Sequence, residues 1–254
     1  LMALDLGADY RLARDIDASE TAGANMSSMW SSSGFVPVGD NRTNDIDSRF
    51  TGTLDGLGHV INGLTINRPT HDYVGLFGET TASSEIRNIG LVGGSVTGAR
   101  NTGSLVGVNL GLIMESYATG DVVGTDFVGG LVASNHGSIA RSHATGSVAA
   151  GGVGYTEAGG LVGRNHGSIM QSYATGDVSG DGSGLLAGLV GGNSNGSITQ
   201  SYATGSVTGS DSTALGGLVG WNAGGSITQS YATGRVVGGS WNGGLVGYQT
   251  NGSI

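Results

Sequence analysis

Asp121 and Asp177 stand at matching positions of a repeated sequence, with Ser147 at the matching position between them. If the repeats stack as β-rungs, the two carboxylates lie roughly 10 Å apart. That separation resembles the acid and base pair of an inverting glycosidase. Both aspartates sit in polar, glycine-rich stretches that offer nothing to raise a carboxyl pKa, so no catalytic residue is expected. From residue 101 onward the acids number seven: Glu115, Asp121, Asp126, Glu157, Asp177, Asp181 and Asp211. His136 and His166 match across adjacent repeats and could chelate a metal together. A structural zinc wants four ligands, however, and no carboxylate or thiolate accompanies them. The acidic stretches at residues 15–20 and 40–47 could hold calcium through oxygen ligands, but without the ligand spacing of a known loop. Neither a nucleophile elbow, a phosphate loop, a His-Glu-x-x-His pair nor a Gly-Gly-x-Gly-x-Asp calcium repeat is present. No cofactor is expected. Trp30, Trp221 and Trp241 read as residues of Gly- and Ser-rich turns.

Composition narrows the classes further. The chain has 254 residues, a net charge of −9, ten basic residues that are all Arg, and no Cys. An acidic, lysine-free chain lacks the basic footprint of a nucleic-acid or anionic-membrane partner. No run approaches the length of a membrane helix, so membrane insertion is not expected. Without cysteine there is no disulfide framework and no thiolate chemistry. Glycine is 52 of 254 residues and proline 2, with no Gly-X-Y period, which excludes collagen. The first residue is Leu and residues 251–254 stop inside a repeat, so the sequence reads as a piece of a longer chain. An open last coil predicts end-to-end self-association.

The repeat determines the elements that must position any site. Gly160-Leu161-Val162-Gly163 leads through Asn165 and Gly167-Ser168-Ile169 to Ser172-Tyr173-Ala174-Thr175-Gly176 and Val178. Leu76, Leu105, Leu131, Leu161, Leu189, Leu218 and Leu245 mark one column, spaced by 29, 26, 30, 28, 29 and 27 residues. Glycine occurs too often for helices, and short Val, Ile, Tyr and Thr runs between Gly and Asn read as strands and turns. The reading is all-β: a single-stranded, right-handed parallel β-solenoid (β-helix) with one coil per repeat of about 28 residues. The variable stretch after each Ala-Thr-Gly-x-Val is read as the loop. Residues 1–72 are expected to form irregular coils continuous with the rod, with residues 19–33 and 40–48 projecting. Strands are expected at residues 10–17, 35–39, 50–56 and 60–66. Residues 73–254 form the repeat rod.

Strand alternation decides which residues face outward. The Ile and Val columns never become polar and belong in the core, and Ser172 and Ala174 stay small as a narrow interior requires. Tyr117, His143, Tyr173, Tyr202 and Tyr231 then form an outward column, with Thr119, Thr145, Thr175, Thr204 and Thr233 beside it. Two roles stay open for these columns. One is stacking between rungs, which stabilises by about 0.2–1 kcal/mol per pair. The other is a rigid, half-apolar face for sugar rings or a protein partner. Asn109, Asn135, Asn165, Asn193 and Asn222, with Gln249 at the end, form a column at a turn, where stacked amides bond along the axis.

The Gly-Gly-Leu-Val-Gly-x-Asn-x-Gly-Ser-Ile…Ser-Tyr-Ala-Thr-Gly unit resembles the GLUG motif of large bacterial surface and secreted proteins. Residues 10–17 and 50–66, leading into Asp72-Tyr73-Val74-Gly75-Leu76-Phe77-Gly78, resemble the stretch before GLUG repeats in filamentous-haemagglutinin-like exoproteins. The resemblance implies a non-enzymatic, extracellular or cell-surface β-helical shaft of an adhesin. Its expected partner is a host or environmental glycan or a surface protein. The alternative is a polysaccharide-active β-helix enzyme or a carbohydrate-binding module.

Overall fold

The computed structural model describes residues 2–23, 31–39, 48–152, 154–182, 184–210 and 214–254. Glycines every few residues keep its strands short, and each coil turns five corners. In the coil starting at Phe127 the strands are Phe127–Gly129, Val132–Asn135, Ser138–Ala140, His143–Ala144 and Val148–Gly151. The next coil begins at Thr156–Gly159. Matching strands of successive coils pair in parallel, giving five sheets that run along the rod. In chain order these are a corner sheet, an asparagine sheet, an isoleucine sheet, a tyrosine sheet and a valine sheet. The result is an all-β solenoid of about seven turns, each about 29 residues from the next.

The register is residue-for-residue. Ile113, Ile139, Ile169, Ile198 and Ile227 align, as do Val122, Val148, Val178, Val207 and Val236. The main core packs the Ile column against the Leu column, the Val residues of the asparagine sheet and the Ala residues of the tyrosine sheet. A second, thinner core lies between the valine sheet and Val128, Ala158, Leu186 and Leu215 of the corner sheet. Every buried column is apolar or hydrogen-bonded, so each coil covers its neighbour's open edge. Strands at Asp9–Arg11 and Thr53–Asp55 extend the isoleucine sheet, and Ile16–Asp17 and Val60–Asn62 extend the tyrosine sheet. Thr65–Asn67 does the same for the valine sheet.

Four expectations need correction. The variable stretch is not simply a loop. It holds two of the five strands, such as Val148–Gly151 and Thr156–Gly159, because burial on a neighbouring coil orders residues whose types vary. Trp221 and Trp241 accordingly lie within strands Val219–Ala223 and Trp241–Gly243 and not in turns. Residues 35–39 make only single bridges, Val38 to Phe77 and Gly34 to Ile66 beside it, since Pro37 has no N–H to offer a ladder. Residues 19–22 form a short 3-10 helix. Trp30, the acidic stretch 40–47 and most of the two expected projecting loops lie outside the described residues.

Glycine columns set how closely coils approach. A Cβ added at Gly146, Gly176, Gly205 or Gly234 would lie 1.9–2.0 Å from the carbonyl oxygen of the matching glycine one coil earlier. That oxygen belongs to backbone and cannot swing away. Gly176→Ala should therefore lower unfolding stability by about 2 kcal/mol or more. Gly151→Ala, where a Cβ meets nothing within 4 Å, should change it by under about 0.5 kcal/mol. Denaturant melts of the two variants check this, and equal midpoints would refute the close-contact account.

Candidate functional site

The asparagine column is a buried amide ladder. Asn109, Asn135, Asn165, Asn193 and Asn222 are 0% exposed. Nδ2 of each of the first four donates to the Oδ1 one coil on, at 2.8, 2.8, 2.8 and 2.9 Å, and Asn222 ends the run by donating to the Gly225 carbonyl. Nδ2 also donates to a carbonyl in its own turn, as Asn165 does to Gly167 at 3.2 Å. Thr80 starts the ladder by donating to Asn109. The small Ser column is a second ladder. The backbone N–H of Ser142 donates to Ser172 Oγ, and Ser172 Oγ donates to the Met170 carbonyl. Serine is thus present for its hydroxyl as much as for its size. These buried polar groups have partners, which is what permits their burial.

The aromatic column begins at Gly90, where a Cβ would collide with the Tyr117 ring. From there Tyr117, His143, Tyr173, Tyr202 and Tyr231 stack with centroid spacings of 4.9, 4.6, 4.8 and 5.2 Å, all within 5° of parallel. Their rings are half-buried until Tyr231, which is 53% exposed. The Ala residues next to them point inward and are buried through Ala203. Thr145, Thr175, Thr204 and Thr233 are exposed, while Thr119 is partly covered and accepts from the Gly93 N–H at 2.8 Å. Burial, with Tyr173 and Tyr231 on either side, raises the Tyr202 phenol pKa. Burial also lowers the pKa of His143 below 6.5.

The carboxylates singled out above are structural caps. Asp121 Oδ1 accepts from the N–H and hydroxyl of Ser147 at 2.9 and 2.7 Å, and Asp177 Oδ1 accepts from the Ser206 N–H at 2.8 Å. In the stretch 15–20, Asp15 accepts from the Val60 N–H and pairs with His59, and Asp17 accepts from the Ser19 N–H. Those bonds hold both carboxyls below the usual carboxylate range. Among the described residues no group of three or more His, Asp or Glu could hold a metal.

A cluster that the repeat pattern did not reveal lies where the corner sheet meets the asparagine sheet. Glu157, on the corner strand, is buried and accepts from Arg164 Nε at 2.8 Å and from Arg164 Nη2, a bidentate pair across the corner. Gly192, one coil on from Arg164, leaves the space this carboxylate fills, since a Cβ there would lie 2.4 Å from Glu157 Oε2. The Arg164 guanidinium lies over the Phe127 ring at 4.0 Å, and that of Arg100 over the same ring at 5.3 Å. Beside them His136 and His166 stack at 4.8 Å, with His166 Nδ1 3.1 Å from the Ser194 carbonyl. Arg49 pairs with Glu79 at 3.0 Å at the far end. Arg49, Glu79, Arg100, Phe127, Arg164 and the two histidines line an open groove of about 300 Å³, with Glu157 behind its wall. Burial, then the neighbouring His166 and Arg164 charges, lowers the His136 pKa. Burial and the Glu157 carboxylate push the Tyr155 phenol up to about 12. The stacked His136–His166 pair is the one part of the groove that the spacing of the sequence brings together.

The GLUG motif matches residues 154–179, 182–208 and 211–237, so these segments are GLUG repeats. Over 111 residues the chain is 46% identical to halomucin of Haloquadratum walsbyi, covering 44% of this chain. The chain spans 1% of halomucin's length. Among solved structures, one of an IgA1 protease superposes with a TM-score of 0.72 at 21% identity, covering 97% of this chain and 19% of that one. At that identity the likeness is one of fold. No helix among the described residues is long and apolar enough to cross a membrane.

Two outcomes follow from the geometry. Arg164→Ser alone should cost about 3–5 kcal/mol by stranding the buried Glu157 carboxylate, and Glu157→Leu alone less, since the Arg164 guanidinium is partly exposed. The double variant, which copies the Leu185 and Ser134 of matching positions, should cost far less. A double-mutant cycle with additive effects would exclude the coupling. For His143, the folded state prefers the neutral ring, so the unfolded chain binds the proton more readily and stability falls as pH drops below 6.5. His143→Tyr should shrink the stability loss between pH 7.5 and 5, with His136 sustaining the remainder; an unchanged pH profile would refute this.

Proposed function

With GLUG repeats as its building unit, we propose that this segment is a non-enzymatic, rigid β-solenoid shaft of a large cell-surface or secreted adhesin. One observation carries the reading: the buried asparagine ladder and the stacked aromatic column run in register from coil to coil without interruption. Such continuous ladders stiffen a rod along its axis, as required of an element that holds a distant tip away from a surface. The halomucin match supports a place in a very large protein of which this segment is a small part. The aspartates that spacing singled out each accept a backbone N–H from the next coil, which supports a structural role for them.

The aromatic column is the contact face in this reading. Because its rings stack face to face, it presents a row of ring edges and phenol hydroxyls, with one open ring face at the exposed Tyr231, suited to a sugar ring or an apolar protein patch. The exposed threonines beside it supply hydroxyls for hydrogen bonds. The intended partner is a host or environmental glycan or a surface protein. A triple variant, Tyr173→Ala, Tyr202→Ala, Tyr231→Ala, tested on a glycan and host-matrix array beside the parent chain, checks this. Binding by the parent that drops at least tenfold in the folded variant is expected. Equal binding by both proteins would remove the column from recognition.

A further inference from the structure

We propose that the groove between the corner and asparagine sheets is a second binding site, one for an acidic saccharide bearing a carboxylate. It goes beyond the shaft reading and occupies different sheets from the aromatic column, so either can fail alone.

The first argument is departure from the repeat. In the column of Glu157 the other coils place Phe127, Leu185, Ala214 and Trp241. In the column of Arg164 they place Glu79, Val108, Ser134, Gly192, Trp221 and Tyr248. These coils close without a charge at the Glu157 position, and at the Arg164 position the other charge is Glu79, itself paired with Arg49. A buried bidentate ion pair there is retained at a desolvation cost that apolar residues would avoid. Its consequence is to hold Arg164 rigidly in the groove wall, with Nε and Nη2 engaged and Nη1 outside the pair.

The second argument is charge. Three of the chain's ten arginines line this one groove; Arg49 is paired with Glu79 and Arg164 with Glu157, which leaves Arg100 as the guanidinium with donors to spare. The whole chain carries −9. A guanidinium with spare donors on an acidic rod takes a single carboxylate of a small ligand, while the overall charge repels a long polyanion such as nucleic acid. Arg100 is the accessible partner: its nearest carboxylate oxygen, on Asp126, stands 3.9 Å away, and half of its side chain is exposed.

The third argument is shape and chemistry. A guanidinium matches a carboxylate in a planar two-point contact. His136, His166 and Asn101 along the same groove provide ring-nitrogen and amide groups for hydroxyls. A volume of about 300 Å³ is at the lower end of small-ligand sites, the size of one or two sugar rings.

Titration of the full 254-residue chain with di- and trigalacturonate, the matching neutral galactosides and a sulfated disaccharide tests the proposal. Galacturonate binding that is weakened at least tenfold by Arg100→Gln is expected. The paired Glu157→Leu, Arg164→Ser variant should abolish it, and the triple tyrosine variant should leave it unchanged. Arg100 is exposed, so its variant reports on binding even if the paired variant folds poorly. No galacturonate binding at millimolar concentration, equal binding of the neutral sugars, a preference for the sulfated sugar, or indifference to Arg100→Gln would each overturn the assignment.

Discussion

The whole rod depends on one constraint: successive backbones approach so closely that only glycine fits at several columns. At Gly146, Gly176, Gly205 and Gly234 the place of a Cβ is taken by the carbonyl oxygen of the coil before. A related contact closes the corner. The absent Cβ of Gly159 would meet the Val162 carbonyl and that of Gly163 would meet the Val128 amide, so the corner strand folds back directly onto the asparagine strand. Glycine is entropically unfavourable in strands. In these columns it marks places where packing leaves no alternative.

Close, in-register stacking then dictates the chemistry of the interior. Each coil presents its polar groups at the same height as those of its neighbours, so a buried amide or hydroxyl finds its partner one rung away. The asparagine and serine ladders satisfy groups that would be costly if left unpaired. The same stacking lays aromatic rings over one another at 4.6–5.2 Å. A substitution in any of these columns affects three coils, which explains why the columns hold one residue type for so long.

The groove is where that uniformity is broken. Glu157 replaces residues that elsewhere are apolar, Arg164 stands in a column whose other charge is Glu79, and Gly192 opens the space the pair needs. Phe127, one coil before Glu157, lies under the guanidiniums of both Arg164 and Arg100. In a structure built by repetition, an exception that requires accommodation by three coils is the strongest local pointer to a purpose other than folding.

Period, glycine frequency and the alternation of Ile, Ser, Ala and Val were enough to read a parallel solenoid, its core columns and its outward tyrosines. These depend on local residue types repeated at a fixed spacing, which one-dimensional inspection detects. Five strands per coil, the second core and the groove were not legible. They arise in the stretch between Val148 and Leu161 and its counterparts, where length and residue type vary and no column is visible. The turn before each tyrosine strand is equally opaque, because Glu115, Arg141, Gln171, Gln200 and Gln229 adopt positive φ of 47–51° with no turn signature in their residue types. Burial on neighbouring coils ordered those segments. Only the folded corner brought Glu157 and Arg164, seven residues apart, against each other and over Phe127 from the coil before.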